Sequence, residues 1–478
     1  MNKKYYINSA VVVLLMALFR FIPPFGAMTS FGMTVFGIFA GALYGWITCD
    51  MIWPSVLGLV MLGFTEYKNN VAEVFTTTIS NPTVQLILWL LVFAALLTTT
   101  GISKQMVSRL VNSKLAKGHP WMLSFLICFA VWVCASFGAG FAAILLCWSL
   151  VYTISEQVGY TNKDKWPRMM VCAIPFFNAL GAMALPFQGG VVAVFGYLNT
   201  ASEGLYAGYN YLSYLIFSFI FCASVMAVYF LFCRFIIKPD MSKLAKGINV
   251  DKAEPFTAKQ KIALCALCAM IVLTILPSCL PAGPAKAFLG KIGTTAIVLG
   301  LVALVTVFRD ANGKPYFTFA ELANGGILWP MLFMVATATT MGGALASKDS
   351  GFTGTIMQLF SPVFAKASPF MFAAVICVAT MFLTNLINNS VASAIMVPVM
   401  YPFAAKVGVN PLMLSALICF MANCGLLLPC ASPAGAMLHG NKEWVDTKTV
   451  VSYSLLGVLA MLLMGIIVGI PLGSAIFR

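Results

Sequence analysis

Charge is what this sequence has least of. Asp, Glu, Lys and Arg make up 9% of its 478 residues, against about 25% in a soluble domain. Hydrophobic residues reach 61% and the mean hydropathy is +0.95. That balance disfavours a soluble enzyme, a nucleic-acid-binding protein and a secreted disulfide-stapled domain. Acids are scarcest, 14 against 28 Lys and Arg, for a net charge of +14. In a chain this apolar, a basic excess points to loops on the cytoplasmic side of a bilayer, not to nucleic acid. No CxxC pair stands near a His cluster and no spacing resembles a zinc site. Most cysteines, such as Cys128, Cys134 and Cys147, sit in apolar runs and serve as small hydrophobes. P-loop and GxSxG signatures are missing too, so no primary pump is expected; with no cluster of titratable or metal-binding residues in the interrupted apolar runs, no enzyme is expected either, and no organic cofactor.

What is present is a series of apolar runs. A span needs about 20 apolar residues to cross roughly 30 Å of hydrocarbon. Candidate spans are residues 7–23, 29–47, 51–64, 84–100, 209–237, 262–277, 294–308, 327–346 and 450–472. Lys3 and Lys4 before the first run resemble a signal-peptide start. Arg20 and Pro23-Pro24 then replace a small-residue cleavage site, so a retained span is expected. Four more apolar regions are interrupted. These are 121–155 at Ser136-Phe137-Gly138, 166–198 at Pro186 to Gly190, 370–405 at Asn388-Asn389-Ser390, and 412–439 at Pro429 to Gly435.

Basic residues orient the spans. Lys104, Arg109, Lys114 and Lys117 follow one another with no acid between them, and Lys163, Lys165 and Arg168 lie beyond the first interrupted region. A third basic stretch runs from Arg234 to Lys261. Placing all three in the cytoplasm puts most of the basic residues inside, the N-terminus inside and the C-terminus outside. Parity then gives region 121–155 two cytoplasmic ends and region 370–405 two outer ends. With arms of about 16 residues, too short for a full span, each reads as a re-entrant hairpin. The order hairpin, broken helix, long helix occurs twice with opposite orientation. Inverted repeats with paired interruptions point to a secondary transporter with a midplane site. The expected class is all-α and polytopic. Its parts are an N-terminal helix in 1–28, a first repeat in 29–237, a cytoplasmic linker with an amphipathic helix in 238–261, and a second repeat in 262–478.

The interrupted regions hold no deep Asp, Glu, Lys or Arg. Any cation there must be held by carbonyl, Asn, Ser or Thr oxygens, which suit a hard ion such as sodium. An anionic cargo would face helix N-termini and amide or hydroxyl donors. Thr384 and the Asn388-Asn389-Ser390 tip supply such groups.

These residues carry a resemblance. Asn388-Asn389-Ser390-Val391-Ala392-Ser393-Ala394 leading to Val397-Pro398 is similar to the second signature of the divalent anion:sodium symporter family, within the ion transporter superfamily. Leu428-Pro429-Cys430-Ala431-Ser432-Pro433-Ala434-Gly435-Ala436 resembles that family's Leu-Pro-x-Ala-Thr-Pro-Pro-Asn-Ala. Ser80-Asn81-Pro82-Thr83 and Thr100-Gly101-Ile102 resemble two earlier family patterns. The first hairpin departs: Ser136-Phe137-Gly138 stands where the family has Ser-Asn-Thr, and Gln188-Gly189 lies where it has part of Thr-Pro-Pro-Asn. The resemblance implies a sodium-coupled carrier of di- or tricarboxylates, a homodimer in the inner membrane, working by an elevator-like movement. It further implies a substrate site at Ser136, Phe137, Gly138, Gln188, Gly189, Asn388, Asn389, Ser390, Ser432, Pro433 and Gly435. Sodium would sit at Thr384, Asn389, Ala422 and Asn423, with Gly138 as a weakened first sodium site. Sodium-independent anion exchange on the same fold, and a passive anion channel, stay open as alternatives.

Overall fold

The computed structural model describes residues 3–113, 115, 118–206, 208–246, 255–281, 283–364, 367–429 and 431–477. Lys114, Lys117, Lys366, Cys430, Arg478 and the middle of the expected linker, 247–254, lie outside the described residues. Among those described, regular structure is helical apart from one isolated β-bridge between Arg309 and Pro315. Among the described residues eleven helices are long and apolar enough to cross a membrane.

Helix starts follow from local chemistry. An Asn or Ser ahead of a proline recurs: Asn81-Pro82, Ser368-Pro369, Asn410-Pro411 and Ser432-Pro433. In each pair the first side chain accepts a hydrogen bond from a first-turn N–H, and the proline fills the first helical position. A cap oxygen satisfies a donor that the helix leaves unpaired, and proline has no N–H to lose.

The first hairpin has arms Pro120–Ser136 and Gly140–Val158, the second Pro369–Leu386 and Asn389–Val407. Between the first pair of arms the chain turns at Gly138, whose φ of 81° is open to glycine at little cost. The first interrupted helix consists of Lys165–Gly181 and Gly189–Ala201, the second of Pro411–Ala422 and Pro433–Gly440. Each is followed by a long helix containing a π-helical turn. Tyr211–Phe232 runs on through Cys233–Ile237, and Thr447–Met464 through Gly465–Gly469 into Ile470–Ile476.

The two halves interlock reciprocally. Gly189–Ala201 packs on Pro411–Ala422 and on the second hairpin, while Pro433–Gly440 packs on Lys165–Gly181. A further tie runs from the first half to the segment ahead of Thr447–Met464. Tyr152 stacks on Trp444 with centroids 4.6 Å apart, and Asn441 Nδ2 donates to Tyr152 Oη at 2.5 Å. Asn162 Nδ2 donates to the Glu443 carbonyl at 2.8 Å. In that segment the hydroxyl and N–H of Thr449 hold the Asp446 carboxyl below its ordinary pKa.

Several sequence expectations change. Residues 51–64 are not a full span: the helix there is Trp53–Leu62, about 15 Å long at 1.5 Å per residue. Asp50 Oδ1 accepts from the N–H groups of Ile52 and Trp53 and starts it late. An amphipathic helix, Val71–Ile79, follows where no helix was expected. Residues 294–308 belong to a longer helix, Pro284–Val305, broken at Gly293. The hairpin arms are longer than expected, at 17, 19, 18 and 19 residues. Arm length is therefore no argument for re-entry. Tyr211–Phe232 packs on Thr447–Met464 and Ala258–Cys279, and its aromatic rings reach the first hairpin and the second interrupted helix. Phe219 meets Trp132, Phe230 meets Phe125, and Phe217 meets Phe420.

Candidate functional site

Both hairpin tips and both helix breaks line one cavity of about 450 Å³. Side chains satisfy several backbone polar groups at the breaks. At the first, Tyr214 Oη donates to the Met183 carbonyl at 2.8 Å, Ser218 Oγ to Ala184 at 2.6 Å and Tyr209 Oη to Pro186 at 2.5 Å. At the second, Asn385 Oδ1 accepts from the N–H groups of Leu426 (3.1 Å) and Leu427 (3.0 Å). Ser432 Oγ donates to the Gly425 carbonyl at 2.5 Å, and His439 Nε2 lies 3.1 Å from the Leu427 carbonyl. Non-helical backbone at membrane depth survives only with such partners or beside a wet cavity. His439 is one of these partners.

The second tip is an oxygen cluster. Thr384, fully buried, lies with its Oγ1 2.9 Å from Asn389 Oδ1 and also within hydrogen-bond reach of the Ala422 carbonyl. One hydroxyl proton faces two acceptors, so acceptors are in surplus, as a hard cation requires. Asn389 Nδ2 donates to the Asn423 carbonyl (3.3 Å) and Oδ1 (3.2 Å), which braces the tip against the break. Asn423 Nδ2 in turn donates to the Ala179 carbonyl at 2.6 Å, tying the second break to the first interrupted helix. The close fit depends on Gly425: a Cβ there would lie 2.3 Å from Asn389 Oδ1. Thr384 and Asn389 are thus adjacent in space to Ala422 and Asn423, which lie well beyond them in sequence.

Of the other expected residues, Phe137, Gly138, Gln188, Gly189, Asn388, Asn389, Ser390, Ser432 and Pro433 line the cavity. Ser136 does not: its hydroxyl donates to the Trp132 carbonyl at 2.8 Å, and its own carbonyl accepts from Gln188 Nε2. Gly435 lies behind the lining, its N–H donating to Ser432 Oγ at 2.9 Å. The cavity also has features that the sequence reading did not pick out. Met183, Met331, Met334 and Phe141 give it an apolar wall, and Asn178 adds a buried amide. No Lys, Arg, His, Asp or Glu is among its lining residues.

Helix termini set its electrostatics. Gly140, Gly189, Asn389 and Pro433, the first residues of four helices, all line it. Each start presents the positive end of a helix dipole, and Asn388 and Ser432 each cap one N–H at the starts of Asn389–Val407 and Pro433–Gly440. Among the described residues no group of three or more His, Cys, Asp or Glu side chains comes together.

Known proteins resemble this chain in family and in fold. A family model described as a citrate transporter matches residues 43–302. The sodium-dependent low-affinity dicarboxylate transporter 1 of Caenorhabditis elegans is 25% identical over 289 residues, 55% of this chain and 48% of that one. The sodium-dependent dicarboxylate transporter SdcS of Staphylococcus saprophyticus is 22% identical over 149 residues, 31% of this chain and 28% of that one. The chain thus spans about half or less of these relatives. In fold it is similar to the crystal structure of the Alcanivorax borkumensis YdaH transporter. The TM-score is 0.58 at 15% identity, over 85% of this chain and 88% of that one.

Proposed function

This chain belongs to the citrate transporter family, and from that premise we propose that it is a secondary active carrier of small organic anions, di- or tricarboxylates, driven by sodium. The observation that carries this reading is the opening of four helix N-termini into one cavity. Partial positive charge there favours an anion without a fixed cation that would hold it too long. Sodium would lie among Thr384 Oγ1, Asn389 Oδ1 and the carbonyls of Ala422 and Asn423. Beside it, Asn388, Ser390 and the Ser432–Pro433 helix start would receive a carboxylate. An anion entering against a negative-inside potential costs about 2.3 kcal/mol per charge per 100 mV, and co-transported sodium offsets that cost.

In this reading residues 29–237 and 262–478 are inverted repeats joined by 238–261, behind a leading helix within 1–28. The hairpins enter from opposite faces. Together with the interrupted helices they form a unit that moves elevator-fashion in a homodimer, against a scaffold to which residues 29–64 and 209–308 contribute. The N-terminus is cytoplasmic and the C-terminus outside. The basic stretch around Lys104 and Arg109 supports that orientation. Asn112→Cys, in the loop after Ile102–Val111, should resist an impermeant thiol reagent added to intact cells and react in inverted vesicles. The reverse pattern would invert the topology.

Substrate uptake into proteoliposomes tests the function. An inward sodium gradient should drive uptake, and choline should not replace it. Asn389→Ala removes an amide that braces the tip. Its oxygen is also an expected sodium ligand, so the sodium response should weaken, and displacement of the Asn388–Ser390 tip should weaken succinate or citrate binding roughly tenfold or more. Unchanged binding in the folded variant would make the tip a structural turn. A second reading, sodium-independent exchange, is favoured by Phe137, which stands where the family's first tip has Asn. Uptake that needs internal counter-substrate and ignores sodium would select it.

A further inference from the structure

The cavity is polar on one side only, and the proposed carboxylate and sodium sites leave its apolar side without a task. Asn388, Asn389, Ser390, Asn423 and Ser432, all from the second half, form the polar side. Among the described lining residues of the first half only Asn178 and Gln188 carry polar side chains, and Gln188 spends its Nε2 on the Ser136 carbonyl. The apolar side is built from several elements. Pro82–Thr99 contributes Leu90 and Leu91, Trp329–Ala346 contributes Met331, and the first tip contributes Phe137 and Phe141.

The rings of the first tip have surface left for a ligand. Phe137 closes Pro120–Ser136, and Phe141 follows Gly140 at the start of the next arm. Phe141 is half-exposed although it lines a cavity, and Phe137 is half-buried. Among the described residues neither ring stacks on another, whereas Phe125, Phe129 and Trp132 earlier in the same hairpin stack in a row. Met331 brings a flexible thioether to the same cavity, and a Cβ on Gly189 would lie 3.3 Å from its Cε. Thioethers settle favourably on aromatic rings and adapt to irregular shapes. At about 450 Å³ the cavity falls in the roughly 300–1,000 Å³ range of pockets for drug-sized ligands, beyond what a bare four-carbon diacid fills. A polar group laid on this wall would lose its water without gaining a partner. An apolar group there would release water from both surfaces.

Resting on the carrier reading above, we infer that the preferred cargo is a dicarboxylate bearing an aromatic substituent. Its carboxylates face Asn388, Ser390 and the Ser432–Pro433 helix start, and its ring lies on the wall of Phe137, Phe141 and Met331. The wall sets specificity within the carboxylate class. It favours an apolar body and gives an added hydroxyl or third carboxylate nothing to bond. Phe137, which stands where the resembled family has Asn, thus serves the cargo.

Thermal stabilisation of the purified protein by succinate, citrate and phenylsuccinate tests this, together with counterflow in proteoliposomes. Phenylsuccinate keeps the carboxylates of succinate and adds one ring, so it should bind about tenfold or more tighter. Citrate, whose additional groups are polar, should bind more weakly than phenylsuccinate. Phe141→Ala and Met331→Gln should each move the ratio of phenylsuccinate to succinate affinity towards one. Phenylsuccinate trapped inside vesicles should accelerate uptake of labelled succinate, as a carried molecule does and a mere blocker does not. Phenylsuccinate no tighter than succinate, or citrate tighter than phenylsuccinate, would overturn the inference while leaving the carrier reading intact. So would an affinity ratio unchanged in both folded variants, since the ring would then lie elsewhere. Phenylsuccinate that inhibits from outside but fails to accelerate uptake from inside would overturn it as cargo. A wild-type protein stabilised by no carboxylate would sink the carrier reading and this inference with it.

Discussion

A Thr384→Val protein should fold but lose its response to sodium. Valine matches threonine in shape, so packing around a fully buried position is kept. What disappears is the hydroxyl between Asn389 Oδ1 and the Ala422 carbonyl. With sodium present, the ion loses a ligand. With sodium absent, two buried acceptors lose their donor, at a cost of about 1–3 kcal/mol. The variant should therefore melt lower than wild type and show no further stabilisation when sodium replaces choline. Thr384→Ser restores the oxygen and should restore most of the response. Uptake in Thr384→Val vesicles should run, if at all, only by exchange against internal substrate. A steep sodium dependence that survived in Thr384→Val would place the coupling ion elsewhere.

Much of this could be read in the sequence because the bilayer leaves few choices. An apolar run of the right length must be helix, and Gly, Pro and Asn within such a run must mark a break that something satisfies. Asn388-Asn389-Ser390 and Pro429 to Gly435 announce themselves in this way, and Thr384, Asn389, Ala422 and Asn423 do meet. Less legible is anything that depends on which side of a helix faces which neighbour. The run over 51–64 looks like a span, yet only Trp53–Leu62 is helical, because Asp50 and Gly63 bound it. Ser136 looks like a ligand beside a tip, but a serine in a last helical turn can bond back to the carbonyl four residues earlier, and this one does. Asn178 looks like a packing residue, because its place in the cavity depends on the missing Cβ of Gly140 in another helix. The donors of Tyr209, Tyr214 and Ser218 were invisible for the same reason: their partners are carbonyls of a break in a preceding helix.

The second large effect is expected from adding a single methyl group, in Gly425→Ala. The new Cβ would lie 2.3 Å from Asn389 Oδ1, 2.9 Å from the Thr384 carbonyl and 3.1 Å from Ala431 Cβ. The Asn389 side chain can move, but only by giving up Thr384 and Asn423. The Thr384 carbonyl is helix backbone and cannot move without shifting the arm Pro369–Leu386. Overpacking of this kind costs about 1–3 kcal/mol in stability. Its effect on function should be larger, because one shift disperses the oxygens expected to hold sodium and also displaces the tip expected to hold the carboxylate. Sodium and succinate responses should therefore fall together in Gly425→Ala, whereas Thr384→Val should remove the sodium response first. Gly440→Ala is the control, since a Cβ there meets nothing within 4 Å, and both responses should survive it. If Gly425→Ala bound sodium and succinate as wild type does, the tip and the break would not form one site.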